Sequence, residues 1–260
     1  MKVSVCITYF NRKQLLKNTL KSIICSKHID NTEILIVDDA SNYENRIEDL
    51  IEEYKNFNIK YHRFEPEEKW WKLQIPVHNK LISMATGDCI IQQGAECLHV
   101  HDIISDSVIN FEKNMYKVYA CYALSEKSTS DLNTKIEKNI IYNYNPVEIN
   151  FENYNDGIWY QHSGLCPRNF NFCTAILRED LEELGGFDER FSNGYAYGDN
   201  EFVARINRKK MKITPIDNLY VFHQFHHREP HNQYDVNYDL LQKIDTESLI
   251  KVHNSFKTNI

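Results

Sequence analysis

The sequence predicts an α/β fold, with a Rossmann-like, mostly parallel central sheet flanked on both faces by helices. Three observations carry that prediction. Short β-branched runs alternate with segments of helical apolar period through the first hundred residues. Those runs are apolar on consecutive positions, the mark of strands covered on both faces. Two of them end in Asp38-Asp39 and Gly94-Ala95-Glu96, where an open parallel sheet binds its ligands.

Val3 to Phe10 is the first predicted strand. Leu15, Leu16, Thr19, Leu20, Ile23 and Ile24 follow at helical spacing. Glu33 to Val37 is the second strand, and Ile47, Leu50, Ile51 and Tyr54 form the next helical stripe. Ile59 to Phe64 is a third strand. Val77 to Met84 is a helix closed by Gly87, and Cys89 to Gln93 is a fourth strand. Residues 125–169 are polar and aromatic without a clear period. They are expected to form long loops with short elements that bind an acceptor. Asn171 to Leu177 is strand-like, and Arg178 to Leu184 is a helix that stops at Gly185-Gly186. Asn200 to Lys210 is a helix with Phe202, Val203 and Ile206 on its apolar face. Ile213 to His223 holds one or two strands, and Val236 to His253 is a weak amphipathic helix.

Composition narrows the function. The chain has 260 residues, 42% hydrophobic and 26% charged, which suits one sizeable core and argues against wholesale disorder. A net charge of -7 argues against a broad electrostatic grip on nucleic acid. No apolar run approaches the roughly 18 residues that span a bilayer. The N-terminus enters a strand pattern with no signal-peptide layout, and the seven cysteines include no CxxC. The expectation is a cytoplasmic protein with reduced thiols. No GxGxxG follows the first strand, and there is no GxxxxGK[ST], GxSxG or HExxH. Dinucleotide oxidoreductases, P-loop hydrolases, serine hydrolases of the elbow type and zincins therefore lose their signatures.

Four segments, in order, carry a resemblance: "VCITYFNR" (5–12), "EILIVDDAS" (33–41), "NKLISMATGDCIIQQGAEC" (79–97) and "FNFCTAILREDLEELGGFDERFSNGYAYGDNEFVARI" (170–206). Together they resemble family 2-type glycosyltransferases of the GT-A fold. The later part is also similar to β-1,4-galactosyltransferases and chondroitin-type polymerases. The resemblance implies a single domain of residues 1–260. Residues 1–98 would bind a nucleotide sugar, 99–235 would bind the acceptor and carry catalysis, and 236–260 would be a helical tail.

The resemblance also implies roles. Asp38 and Asp39 would meet the nucleoside, since carboxylates accept from an imide and ribose hydroxyls. On position alone the pair also reads as a helix N-cap. Glu96 stands at the last acid of the family's DXD motif and would hold Mn²⁺ or Mg²⁺; the first acid is replaced by Gly94. His223, with His226 as alternate, would add an imidazole ligand. Asp199 would be the general base, although Gly198 replaces the family's preceding glutamate. Arg12 would meet the donor diphosphate. Asn79, beside His78, would lie under the donor. Tyr195 and Tyr197, and less directly Trp70 and Trp71, would face the sugars. Aromatic side chains more often pack than bind.

The expected activity is inverting transfer of a hexose or N-acetylhexosamine from a UDP-sugar to a glycan or other hydroxyl acceptor, without nucleic acid. Two rivals stand beside it. One is a degenerate GT-A domain kept for binding, motivated by the two missing acids. The other is a nucleotidyltransferase, which lacks support because no Gly-rich N-terminal loop is present.

Overall fold

The computed structural model describes residues 1–137, 154–227, 234–245 and 248–254. Its strands are β1 (Val3–Tyr9), β2 (Thr32–Asp38), β3 (Ile59–Arg63), β4 (Cys89–Gly94), β5 (Cys97–His99), β6 (Met115–Ala123), β7 (Ile158–Gln161), β8 (Cys173–Leu177) and β9 (Lys212–His223). Its helices are α1 (Lys13–Ile23), α2 (Glu48–Glu53), α3 (Ile75–Met84), α4 (Ile103–Ser107), α5 (Glu126–Glu137), α6 (Arg178–Leu184), α7 (Gly198–Arg208) and α8 (Tyr234–Asp245). The fold class is the expected α/β sheet with helices on both faces.

All nine strands join one sheet in the order β3-β2-β1-β4-β8-β6-β9-β5, with β7 on β6. The first four pair in parallel. β8 then runs antiparallel to β4 and β6, while β9 runs parallel to β6 and antiparallel to β5. Period two along each strand divides the core. Val5, Ile7, Ile34, Ile36 and Ile91 join α1 and α4 on one face. Cys6, Leu35, Val37 and Ile90 join α3, α6 and α7 on the other.

Residues 125–169 differ from the expected loops. They contain the twelve-residue helix α5 and the strand β7. Residues 138–153 of that span lie outside the described residues. The helix escapes periodicity because only Leu132 and Ile136 supply its buried apolar stripe. β6 was also not expected. Its nine residues are all buried, including Lys117, whose ammonium donates to the carbonyls of Asp106 (2.7 Å) and Ile109 (2.8 Å). β9 is a single strand whose register against β6 shifts between Tyr119 and Ala120. The tail helix begins at Tyr234 and ends at Asp245, short of His253. The boundary at residue 98 falls inside β5. Among the described residues, no helix is long and apolar enough to cross a membrane.

Two polar knots fix the scaffold. At the amino edge of the sheet, fully buried Glu33 accepts from Ser4 (2.6 Å), the Thr86 backbone (2.7 Å) and hydroxyl (2.9 Å), and Lys60 (2.9 Å). Behind α7, fully buried Arg205 forks onto Glu201 at 2.6 and 2.8 Å and donates to the Leu184 carbonyl at 2.7 Å. That fork seats α7 against the end of α6, where Gly185 takes the left-handed φ of 79°.

Candidate active site

The carboxyl edge of the sheet gathers the candidate residues. Glu96 sits in the turn between β4 and β5. The antiparallel pairing of β5 with β9 places Cys97 opposite His223. Glu96 Oε1 thus lies 3.4 Å from His223 Nε2 and 4.0 Å from His226 Nε2. One oxygen and two ring nitrogens fall within 4.8 Å of one another, a spacing that could hold one ion. Arg12, at the entry to α1, donates from Nη1 to Glu96 Oε2 at 2.9 Å.

Burial pushes the Glu96 carboxyl up. Arg12 first, then His223 and His226, outweigh it and hold the group well below the usual carboxylate range. Burial, with Arg12 second, pulls His226 down to about 4, which leaves a neutral imidazole lone pair at neutral pH. The donor set mixes a hard carboxylate with two imidazoles, which fits Mn²⁺ better than Mg²⁺. A Cβ at Gly94 would stand 2.6 Å from Glu96 Oε1. The space of the missing first acid is therefore taken by the carboxylate of the last.

Asp38 and Asp39 are both buried. Asp38 accepts from Ser41 N–H (2.8 Å) and Tyr61 hydroxyl (3.0 Å), so it shapes its own turn; burial raises its carboxyl despite the Ser41 bonds. Asp39 collects the 69–74 segment: Trp71 Nε1 (2.7 Å), Lys69 Nζ (2.9 Å) and Gln74 Nε2 (3.0 Å).

Half-buried Asp199 opens α7, and its Oδ1 accepts from Asn171 Nδ2 at 2.9 Å. Burial raises its carboxyl despite that bond, which makes it a stronger base than an ordinary aspartate. The next residue, Phe172, packs its ring 5.9 Å from that of His223. The two consecutive residues before β8 thus tie Asp199 and the Glu96 cluster to one strand end. The approach to α7 is tight, with Ala196 and Tyr197 at positive φ of 60° and 64°. A Cβ at Gly198 would approach Ile75 Cδ1 to 2.9 Å.

Other expected residues take different places. Asn79 spends its amide within the fold. Its two N–H bonds go to the Phe187 carbonyl (3.0 Å) and Glu189 (2.9 Å), and its oxygen accepts from Phe187 N–H (2.9 Å). It clasps α3 to the 187–189 turn. His78 stacks on Phe187 at 4.6 Å, and burial lowers its imidazole to about 4. Trp71 is 5% exposed and backs Asp39. Trp70 is 45% exposed. Tyr195 and Tyr197 are half-buried in the loop before Asp199, and Tyr197 packs on Tyr238 of α8 at 5.6 Å. Sequence reasoning missed Asn171, Lys69 and Tyr160, whose ring lies 5.1 Å from that of His223. Their pairings cross long stretches of chain and leave no local pattern.

An α/β sheet with acids at its strand ends, a carboxylate–imidazole cluster and a half-buried aspartate at a helix start matches the GT-A architecture. The chain belongs to the glycosyl transferase family 2, whose model matches residues 4–185. Asp199, His223 and His226 lie beyond the matched span. Chondroitin synthase of Escherichia coli is 24% identical over 255 residues, covering 85% of this chain and 34% of that protein. The chain thus spans about a third of the length of that relative. Among solved structures, S. aureus TarS 1-349 is similar with a TM-score of 0.63 at 11% identity, over 95% of this chain and 65% of that one. A mannosyltransferase from Pyrobaculum calidifontis, solved with GDP-Man and Mn²⁺, gives 0.58 at 15% identity, over 94% and 69%. GalNAc-T7 with UDP, GalNAc and Mn²⁺ gives 0.61 at 18%, over 86% and 44%. At these identities the likeness shows the shared fold.

Proposed function

We propose that the chain is an inverting, metal-assisted glycosyltransferase that moves a hexose or N-acetylhexosamine from a UDP-sugar to a hydroxyl of a glycan or similar acceptor. The convergence of Glu96, His223 and His226 beside Arg12 carries this reading. Solved relatives hold UDP or GDP-Man, and two hold Mn²⁺.

In this reading residues 1–98 hold the donor and 99–235 hold the acceptor, with 236–260 as a tail. Asp38 and Asp39 face the nucleoside, and Arg12 binds the diphosphate. Glu96, His223 and His226 would hold Mn²⁺ or Mg²⁺, which neutralises charge on the departing diphosphate. Asp199 takes the proton from the acceptor hydroxyl as that oxygen attacks the anomeric carbon from the face opposite UDP. Configuration inverts, and the UDP oxygen leaves with the electron pair of the broken bond. Tyr195, Tyr197 and exposed Trp70 border the sugars. Gly94 does not argue for a degenerate site, because Glu96 fills the space beside it.

Transfer assays with Asp199→Asn test the reading. The expected loss in kcat is roughly 10²–10⁴-fold, with UDP affinity kept. Burial raises the Asp199 carboxyl, so the wild-type acid limb should lie above the ordinary aspartate value of 3.8. Unchanged kcat, or a product of retained configuration, would overturn the assignment.

A further inference from the structure

An aspartate that takes a proton must present one particular oxygen to it. The torsion that turns an aspartate carboxyl is broad and roughly two-fold, so burial alone does not fix which oxygen faces outward. A partner must pin the carboxyl plane.

Asn171 is that partner for Asp199. It is 9% exposed and stands two residues before β8. Its Nδ2 donates to Asp199 Oδ1 at 2.9 Å. Its own Oδ1 accepts from the Tyr116 hydroxyl at 3.0 Å and from Thr174 Oγ1 at 3.4 Å. Tyr116 and Thr174 are both fully buried. The Tyr116 hydroxyl also lies 3.3 Å from the Asn169 carbonyl, but it has one proton and Asn171 is nearer. These neighbours fix the amide's orientation. Turned over, it would set its oxygen against a carboxylate, acceptor against acceptor. With Oδ1 of Asp199 engaged, Oδ2 is the oxygen left to receive a proton.

The clasp joins separate elements. Tyr116 and Thr174 come from β6 and β8, which pair antiparallel with Val118 opposite Thr174. Asp199 comes from the first turn of α7. The other groups near it bring no free charge. Gly198 faces Leu73 and Ile75, and Glu201 is paired with Arg205 further along α7. The titratable group that faces Asp199 from β6 is Tyr116, and burial pushes its phenol well up, so it stays protonated. Burial also raises the Asp199 carboxyl, and Asn171 opposes that rise through its side chain and then its backbone.

We propose that Asn171 is the positioning residue of the base: its side-chain N–H pins one oxygen of Asp199 and turns the other to the acceptor hydroxyl, while Tyr116 and Thr174 hold the amide in place. The proposal rests on the reading of Asp199 as the base.

The test uses the full chain and two readouts. The Asp199 carboxyl is titrated by ¹³C NMR on aspartate-labelled protein, with its signal assigned by its loss in Asp199→Asn. Transfer is followed by UDP release from UDP-glucose, UDP-galactose, UDP-N-acetylglucosamine and UDP-N-acetylgalactosamine, each with methyl β-glycosides of the same four sugars. Asn171→Leu removes a donor that favours the charged carboxylate. The Asp199 midpoint should therefore rise by about one pH unit, and the acid limb of kcat should rise with it. Above that limb kcat should stay about tenfold below wild type, because the carboxyl plane is free to turn. KM and the UDP Kd should hold. Tyr116→Phe keeps the ring against Phe202, 6.2 Å away, and should shift both readouts the same way, about threefold in kcat. It decides the matter if Asn171→Leu does not fold. The positioning role is overturned if either the midpoint or kcat holds in the folded variant, or if KM rises while kcat holds. Full kcat in Asp199→Asn would instead overturn the base reading, and this proposal with it.

Discussion

Two buried glutamates stand at opposite edges of the same sheet, and their surroundings separate scaffold from site. Glu33 and Glu96 are both held below the usual carboxylate range by neighbours that outweigh their burial. Glu33 is closed: four short hydrogen bonds from Ser4, Thr86 and Lys60 occupy it. Glu96 is open: one oxygen meets Arg12, and the other faces two imidazoles at 3.4 and 4.0 Å. A carboxylate saturated with fixed donors has no free lone pair for a ligand. One that faces spaced lone pairs is arranged for a cation to sit between them. Burial and a depressed pKa therefore do not mark a site; the spacing and type of the partners do.

Glu96→Ala probes the open end and carries the largest expected effect. Loss of the ligand and of the Arg12 pair should lower kcat/KM on the order of 10³-fold and abolish Mn²⁺ binding by calorimetry. Folding stability in urea should fall by less than in Glu33→Ala, because Arg12 is part-exposed and water can replace its partner. A stability loss as large as that of a Glu33 variant would erase the distinction between the two ends.

Glu33→Ala probes the closed end. It strands Ser4, Thr86 N–H and Lys60, and should cost roughly 3–5 kcal/mol. In Glu33→Gln, UDP and Mn²⁺ affinities should stay unchanged. The acid response supplies a second reading. Burial raises the carboxyl, but Lys60 and then Ser4 and Thr86 bring it from the ordinary 4.5 to about 2. The unfolded chain therefore takes up the proton first as pH falls. Glu33's contribution is complete above about pH 4.5 and drains away between there and about pH 2. Urea midpoints across that window should fall less steeply in Glu33→Gln than in wild type.

The contrast also explains what the sequence could tell. Asp38-Asp39 is legible because both acids interrupt an apolar strand at its end. Glu33 is not, since it stands inside a strand run and its partners Ser4, Lys60 and Thr86 lie on other elements. Glu96 and His223 are 127 positions apart (223 minus 96) and meet only because β5 pairs with β9; the resemblance pointed to them, and periodicity could not. β6 was missed because a nine-residue strand carrying a lysine does not read as buried until the carbonyls that hold Lys117 are in place. Asn79 reads as a polar residue near the donor, yet its amide is consumed by Phe187 and Glu189.

Asp39 is the case that sharpens the comparison. It lies at the site edge, yet three donors from residues 69–74 hold it much as Glu33 is held. Trp71→Phe keeps the ring packed against Phe64, 4.9 Å away, and deletes only the indole N–H. Loss of one hydrogen bond to a charged group should cost about 1–2 kcal/mol of stability, the smallest effect here. If Asp39 faces the nucleoside, its freed carboxylate should also shift, and the UDP Kd should weaken several-fold. If stability falls while the UDP Kd holds, Asp39 belongs with Glu33 as a scaffold acid. Nucleoside recognition at this strand end would then fall to Asp38 alone.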